Sequence, residues 1–145
     1  MIPRVGERIV SGQRYKRTPG AYVILLRHSD ILLTHQLEPE PEFQLPGGGI
    51  DPGEHLIPAL HREVAEETGW TMDRPVRIGA FRRFTFMPEY DLWAEKICHV
   101  YLARPARRLG PPSEPGHTAV WMPFSVALDA LGNEGDRMFL RRLVG

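Results

Sequence analysis

The chain has 145 residues, 42% hydrophobic and 25% charged, which is close to the globular average, far from the signature of disorder, and too short for a second full domain. Eighteen Lys and Arg balance eighteen Asp and Glu, so no global field favours nucleic-acid phosphates or an anionic membrane. The lone Cys98 excludes an intrachain disulfide and a multi-cysteine zinc site; no apolar run reaches the ~18 residues of a membrane span, and the first ten residues carry Pro3, Arg4, Glu7 and Arg8 where a leader is apolar, so a cytoplasmic protein without membrane contact is expected.

In chain order, Ala21 to Arg27 and Ile31 to Gln36 are β-rich runs separated by three residues, which predicts a hairpin. Glu38 to Glu42 alternates with Pro39 and Pro41, a pattern that fits neither a helix interior nor a central strand, so an exposed loop is predicted there. Phe43 to Leu45 reads as a short strand. Pro46 to Gly49 reads as a loop in which three glycines can bring bare backbone against a ligand or ion.

His55 to Thr68 is the clearest helix, with Pro58 in the first turn and Gly69 placed to cap the C-terminus. Leu56, Ile57, Leu60 and Val64 share an arc of about 100° and are expected to face the core. Glu63, Glu66 and Glu67 share a second arc beside it, since spacings of three and four return side chains to one face. Val76 to Phe86 and Lys96 to Ala103 read as strands around a loop with Pro88, Glu89, Tyr90 and Asp91. Pro105 to Gly116 reads as a long loop, Thr118 to Met122 as a last strand, and Pro123 to about Leu131 and Asp136 to Leu143 as helices. Strands and helices mixed without regular alternation predict an α/β sandwich with a partly antiparallel sheet.

Charge is unevenly spread. Between Glu38 and Glu67 eight acids face one base, Arg62, a local net of −7. Carboxylates on one helical face repel by a few tenths of a kcal/mol per pair. A divalent cation offsets this, and clustered carboxylates with a backbone carbonyl nearby are the hard oxygen ligands that Mg²⁺ or Mn²⁺ prefers. The histidines (His28, His35, His55, His61, His99 and His117) contain no His-x-x-x-His pair, so they read as surface or packing residues rather than zinc ligands. A carboxylate site for Mg²⁺ suits phosphoryl transfer, because the metal neutralises phosphate oxygens and lowers the pKa of a bound water.

Gly48, five residues, Glu54, seven residues, then Arg62-Glu63-Val64-Ala65-Glu66-Glu67-Thr68-Gly69-Trp70 resembles the Nudix box of the MutT-like hydrolases at every fixed position. The resemblance extends to the hairpin before the box and to Trp121-Met122-Pro123 before a late helix. It implies a Nudix fold, an α/β/α sandwich with a mixed sheet, formed by residues 1–145 as one hydrolase domain. By position, Glu63, Glu66 and Glu67 would bind Mg²⁺, with Mn²⁺ as a substitute and the Gly48 carbonyl as a further ligand. Arg62 would orient the carboxylates and Glu54 would act in support. The general base would come from the box, as Glu66 or Glu67, or from a later acid among Glu89, Asp91, Glu95 and Glu114.

The implied reaction is hydrolysis of a nucleoside diphosphate linked to another moiety. A modified nucleoside triphosphate or dinucleoside polyphosphate is favoured over ADP-ribose or another sugar diphosphate, and the rival from another class is a non-catalytic nucleotide-binding module. The expected partner is thus a small nucleotide-derived substrate, without nucleic acid, and a homodimer is an admissible assembly. Phe84, Phe86, Tyr90 and Trp93 are candidates to stack on a base, and Arg14, Arg82 and Arg83 to pair with phosphates.

Overall fold

The computed structural model describes residues 1–144. The helix after the glycines, α1, spans Leu56–Thr68, and Gly69 ends it in the left-handed conformation at φ 76°, with its N–H bonded to Ala65 O at 2.9 Å. A side chain there would also strike the Gly110 carbonyl. The buried residues of α1 are Ala59, Leu60, Val64, Glu67 and Thr68. Ile57 shares their arc but lies in the first turn and is 43% exposed, contrary to expectation. Glu67, in contrast, lies at the boundary of the two arcs, angularly close to Leu60 and Val64, and is 7% exposed.

The hairpin strands are β1 (Lys16–Arg27) and β2 (Asp30–Gln36), paired only at Leu26–Ile31 and Arg27–Asp30. Beyond those two pairs the strands take different neighbours. β1 pairs antiparallel with β4 (Gly47–Gly49) and parallel with β6 (Leu92–Arg108), whereas β2 pairs with β3 (Glu42–Gln44) and β7 (His117–Pro123). β5 (Trp70–Met87) runs antiparallel to β6 on its other side, joined through a 3-10 turn at Pro88–Tyr90. The sheet therefore opens at the end of β1 away from its hairpin.

One predicted loop is a strand, and the first four residues of another extend one. The glycine run pairs with Gly20 to Tyr22 of β1, because its backbone groups find ladder partners that no side-chain pattern announces. Residues up to Arg108 belong to β6, whose partner β5 starts directly after α1 at Trp70 rather than at Val76. Register shifts near Trp70, Asp73 and Arg77 interrupt the alternation by which that strand would be recognised, and Pro105 sits beside one of them, where a missing N–H is tolerated.

Alternation along β1 divides the interior. Ala21, Val23 and Leu25 join Leu60 and Val64 of α1 on one face. Ile24, with Ile31, Leu33 and Val100, meets Ala127 of α2 (Phe124–Ala130), Leu131, and Phe139 and Leu140 of α3 (Glu134–Val144) on the other. The result is the expected α/β/α arrangement. Among the described residues no helix is long and apolar enough to cross a membrane.

Candidate functional site

Where β1 and β2 part, a cleft of about 830 Å³ opens, bordered by Glu63, Glu66 and Glu67 of α1 and by Gly47, Gly48 and Gly49 of β4. The predicted carboxylate face and the predicted close-approach glycines therefore meet in one place. A second cleft, about 750 Å³, lies at the closed end of the hairpin beside Arg27, Arg74 and Arg104 and contains none of these groups.

Backbone and carboxylates are in direct contact. The Gly47 amide donates to Glu67 Oε1 at 3.0 Å. A Cβ on Gly48 would lie 2.7 Å from the Glu63 carboxyl, so the missing side chain is what admits Glu63 there. Arg62 ties the other acids together. Its Nε and Nη2 donate to the two oxygens of Glu54 at 2.8 Å each, and its Nη1 donates to Glu63 at 3.0 Å and to Glu66 at 3.3 Å. The Asp51 amide completes the Glu54 side at 2.8 Å. Arg62 and Glu54 lie behind the cleft wall, as supports for the carboxylates that form it.

Arg62 hydrogen bonds, with the Asp51 amide, hold Glu54 down to about 2. Burial raises Glu63, against the pull of Arg62. Burial also pushes Glu67 up to about 8; the Gly47 amide opposes this, and the charges of Glu63, Glu114 and Glu66 add to it. The site thus holds more negative charge than Arg62 compensates.

The donor types suit a hard divalent cation: three carboxylates and the backbone of Gly48 border one cleft, and among the described residues no lysine or arginine partners the Glu67 carboxyl to hold it ionised. Among the described residues no three acidic, imidazole or thiol side chains stand at metal-holding separations. Glu63 and Glu66 are engaged by Arg62, and Glu67 by Gly47.

The later candidates divide. Glu114 and Glu89 border the cleft, and the amides of Ser113 and Glu114 both donate to Glu66 O at 2.9 Å, which fastens their loop to α1. Asp91 and Glu95 do not border it; Glu95 lies on β6 and pairs with Arg17 and Arg82. Phe86 and Tyr90 border the cleft, whereas Phe84 is buried and packs, like Trp93, against Tyr15. Of the three arginines, Arg83 alone reaches it.

Tyr22, Gln44 and Lys96, which carry no motif in the sequence, also border the cleft, and so does His117, which is expected from the sequence to be a surface or packing residue. His117 Nδ1 lies 2.9 Å from Thr34 Oγ1 and 4.0 Å from Glu67 Oε2. Lys96 stands in register between Thr18 of β1 and Arg83 of β5. Strand pairing creates both placements, and no local motif carries them.

Residues 16–143 match the NUDIX domain family. The chain is 40% identical over 80 residues to a putative 8-oxo-dGTP diphosphatase of Bacillus subtilis (strain 168), covering 55% of this chain and 54% of that one. It is 33% identical over 104 residues to an 8-oxo-(d)GTP phosphatase of Mycolicibacterium smegmatis, covering 71% of this chain and 30% of that one. It thus spans about half and about a third of these curated relatives. In fold it resembles the MutT protein of Bacillus halodurans (TM-score 0.70, 22% identity, 86% of this chain and 80% of that one). It likewise resembles a MutT NUDIX hydrolase of Burkholderia pseudomallei (TM-score 0.68, 23% identity, 87% and 97%).

Proposed function

We propose that this chain, which belongs to the NUDIX domain family, is a Mg²⁺-dependent pyrophosphohydrolase acting on a modified nucleoside triphosphate of the 8-oxo-dGTP class. The observation that carries the reading is the convergence of Glu63, Glu66, Glu67 and the Gly48 backbone on a cleft that Lys96, Arg83, Phe86 and Tyr90 also border. Carboxylates suit a cation, cations suit phosphates, and aromatic faces suit a base. The names of both curated relatives support the substrate class.

In this reading residues 1–145 act as one domain. Glu63, Glu66, Glu67 and the Gly48 carbonyl hold Mg²⁺ or Mn²⁺, which neutralises phosphate charge and acidifies water when bound. Arg62 orients Glu63 and Glu66, and Glu54 fixes Arg62 through both carboxylate oxygens. Glu66 takes the proton from the attacking water, since its side chain is 36% exposed against 18% for Glu63 and 9% for Glu67. The water oxygen bonds to phosphorus, the bridging P–O bond breaks, and a nucleoside monophosphate and pyrophosphate leave. Lys96 and Arg83 hold the phosphate chain from the opposite side, and Phe86 and Tyr90 face the base.

The test is a panel of 8-oxo-dGTP, dGTP, a dinucleoside polyphosphate and ADP-ribose with Mg²⁺, with both products identified. 8-oxo-dGTP should be cleaved fastest and EDTA should abolish cleavage. A preference for ADP-ribose overturns the substrate class. Nucleotide binding without cleavage of any compound overturns the enzyme reading in favour of a binding module.

A further inference from the structure

Arg83 is the arginine of the cleft, and its guanidinium is held by a segment that precedes the region matched to the family. Residues 2–5 lie along β5: Val5 N donates to Arg82 O at 2.9 Å, Arg82 N to Pro3 O at 2.8 Å, and Arg82 Nε to Ile2 O at 3.0 Å. Gly6 then turns the chain at φ 95°, a conformation that suits a residue without Cβ. The turn is clasped by Arg4 Nη1, which donates to the carbonyls of Gly6 at 3.0 Å and Glu7 at 2.7 Å. Glu7 is thereby delivered to Arg83. Arg83 Nε donates to both Glu7 oxygens, at 2.9 and 3.0 Å, and Nη2 lies 2.9 Å from Oε2.

This fork uses one edge of the guanidinium. Among the described residues Nη1 of Arg83 has no protein acceptor, while the side chain as a whole is 21% exposed. On the sheet, Arg83 pairs with Lys96, which pairs with Thr18, so two cations occupy one cross-strand row that borders the cleft. An arginine clamped through Nε and Nη2, on a strand row shared with a lysine at the border of the cleft, keeps Nη1 for end-on contact with a phosphate oxygen.

We infer that Glu7 is a positioning residue: it fixes Arg83 in the rotamer that receives the substrate's phosphate chain, so that the segment before the family-matched region sets affinity for the triphosphate. The inference rests on the function proposed above. Two effects of the Glu7 charge oppose each other. Repulsion between Glu7 and a phosphate on the far side of the guanidinium, about 7 Å away in a watery setting, weakens binding by a factor of roughly three. Restricting the arginine in advance removes an ordering cost that corresponds to a factor of roughly ten. Pre-organisation is the larger, so removal of Glu7 weakens binding.

The experiment measures steady-state hydrolysis and, separately, inorganic triphosphate binding by calorimetry for wild type, Glu7→Gln, Glu7→Asp, Arg83→Gln and the Glu7→Gln/Arg83→Gln double variant, with folding checked by thermal melts. Glu7→Gln should raise KM and the triphosphate Kd roughly threefold, the tenfold ordering gain less the threefold repulsion, with kcat within twofold, and Glu7→Asp should recover part of the loss. The double variant should match Arg83→Gln alone. Wild-type KM and Kd in Glu7→Gln, or losses that simply multiply in the double variant, overturn the role of Glu7. Equal KM and kcat effects accompanied by a lowered melting temperature reduce it to a fold contact and overturn it also. A wild-type protein that binds triphosphate but hydrolyses nothing overturns the proposed reaction and leaves the Glu7 inference to be judged on the Kd values.

Discussion

The Gly47 amide donates to Glu67 Oε1 across 3.0 Å, joining the glycine strand to the last turn of α1. Glu67 is 7% exposed, and burial pushes its carboxyl up to about 8 against a starting value of 4.5. Because the folded-state value is the higher one, the metal-free fold takes up a proton here and loses stability as pH rises from about 4.5 through about 8. Glu67→Gln keeps an acceptor for Gly47 and removes the charge. In chelator at pH 9 it should be the more stable protein by on the order of 5 kcal/mol, with the difference vanishing near pH 4, as followed by urea melts across pH. Its Mg²⁺-dependent turnover should fall at least a hundredfold; unchanged turnover removes Glu67 from the site.

Arg62 holds Glu54 with two 2.8 Å bonds and reaches Glu63 and Glu66 with its remaining nitrogen. Arg62→Lys keeps a charge but no planar fork, so it should lose the Glu54 bridge and with it the orientation of both carboxylates. We expect turnover to drop about tenfold or more in Arg62→Lys, with Mg²⁺ affinity measured by calorimetry falling in parallel. Wild-type kinetics in the lysine variant would show that charge alone suffices.

Gly48 leaves the space that the Glu63 carboxyl fills, 2.7 Å from where a Cβ would stand. Gly48→Ala should displace that carboxyl while β4 stays paired with β1, weakening Mg²⁺ binding about tenfold with little change in melting temperature. Gly47→Ala meets the Ala21 carbonyl and Tyr22 backbone instead, so it should destabilise the fold by roughly 2 kcal/mol or more. If the two alanine variants behave alike in both assays, the separation of roles fails.

Asp136 is buried at 3% exposure and accepts the Leu45 amide at 3.1 Å, which anchors α3 to the residue that follows β3. Burial raises its carboxyl from 3.8 to about 6, even though hydrogen bonding from Leu45 opposes the shift. Its contribution therefore turns unfavourable as pH climbs from about 4 through 6. Asp136→Asn should flatten the stability profile over that window. Asp136→Ala, which strands the Leu45 amide, should cost about 1–3 kcal/mol. Denaturant midpoints at pH 4, 5, 6 and 7 distinguish these outcomes.

What the chain reveals on its own is local. The glutamate spacings and the cap at Gly69 place three carboxylates on one side of a helix because the helical repeat operates over a few residues, and the box resemblance rests on the same short stretch. Tertiary structure alone decided how deeply each carboxylate sits: Glu67 falls near the Leu60–Val64 stripe and is covered by the sheet. It also built the facing wall. Lys96 joins Thr18 through a parallel pairing of β1 with β6, Arg83 joins Lys96 across β5, and His117 comes opposite Gln36 on β2. Thr18 and Lys96, and Gln36 and His117, are separated by tens of residues along the chain; Arg83 and Lys96 are nearer, but their register too depends on burial of whole faces and on bulges, which no short sequence window encodes.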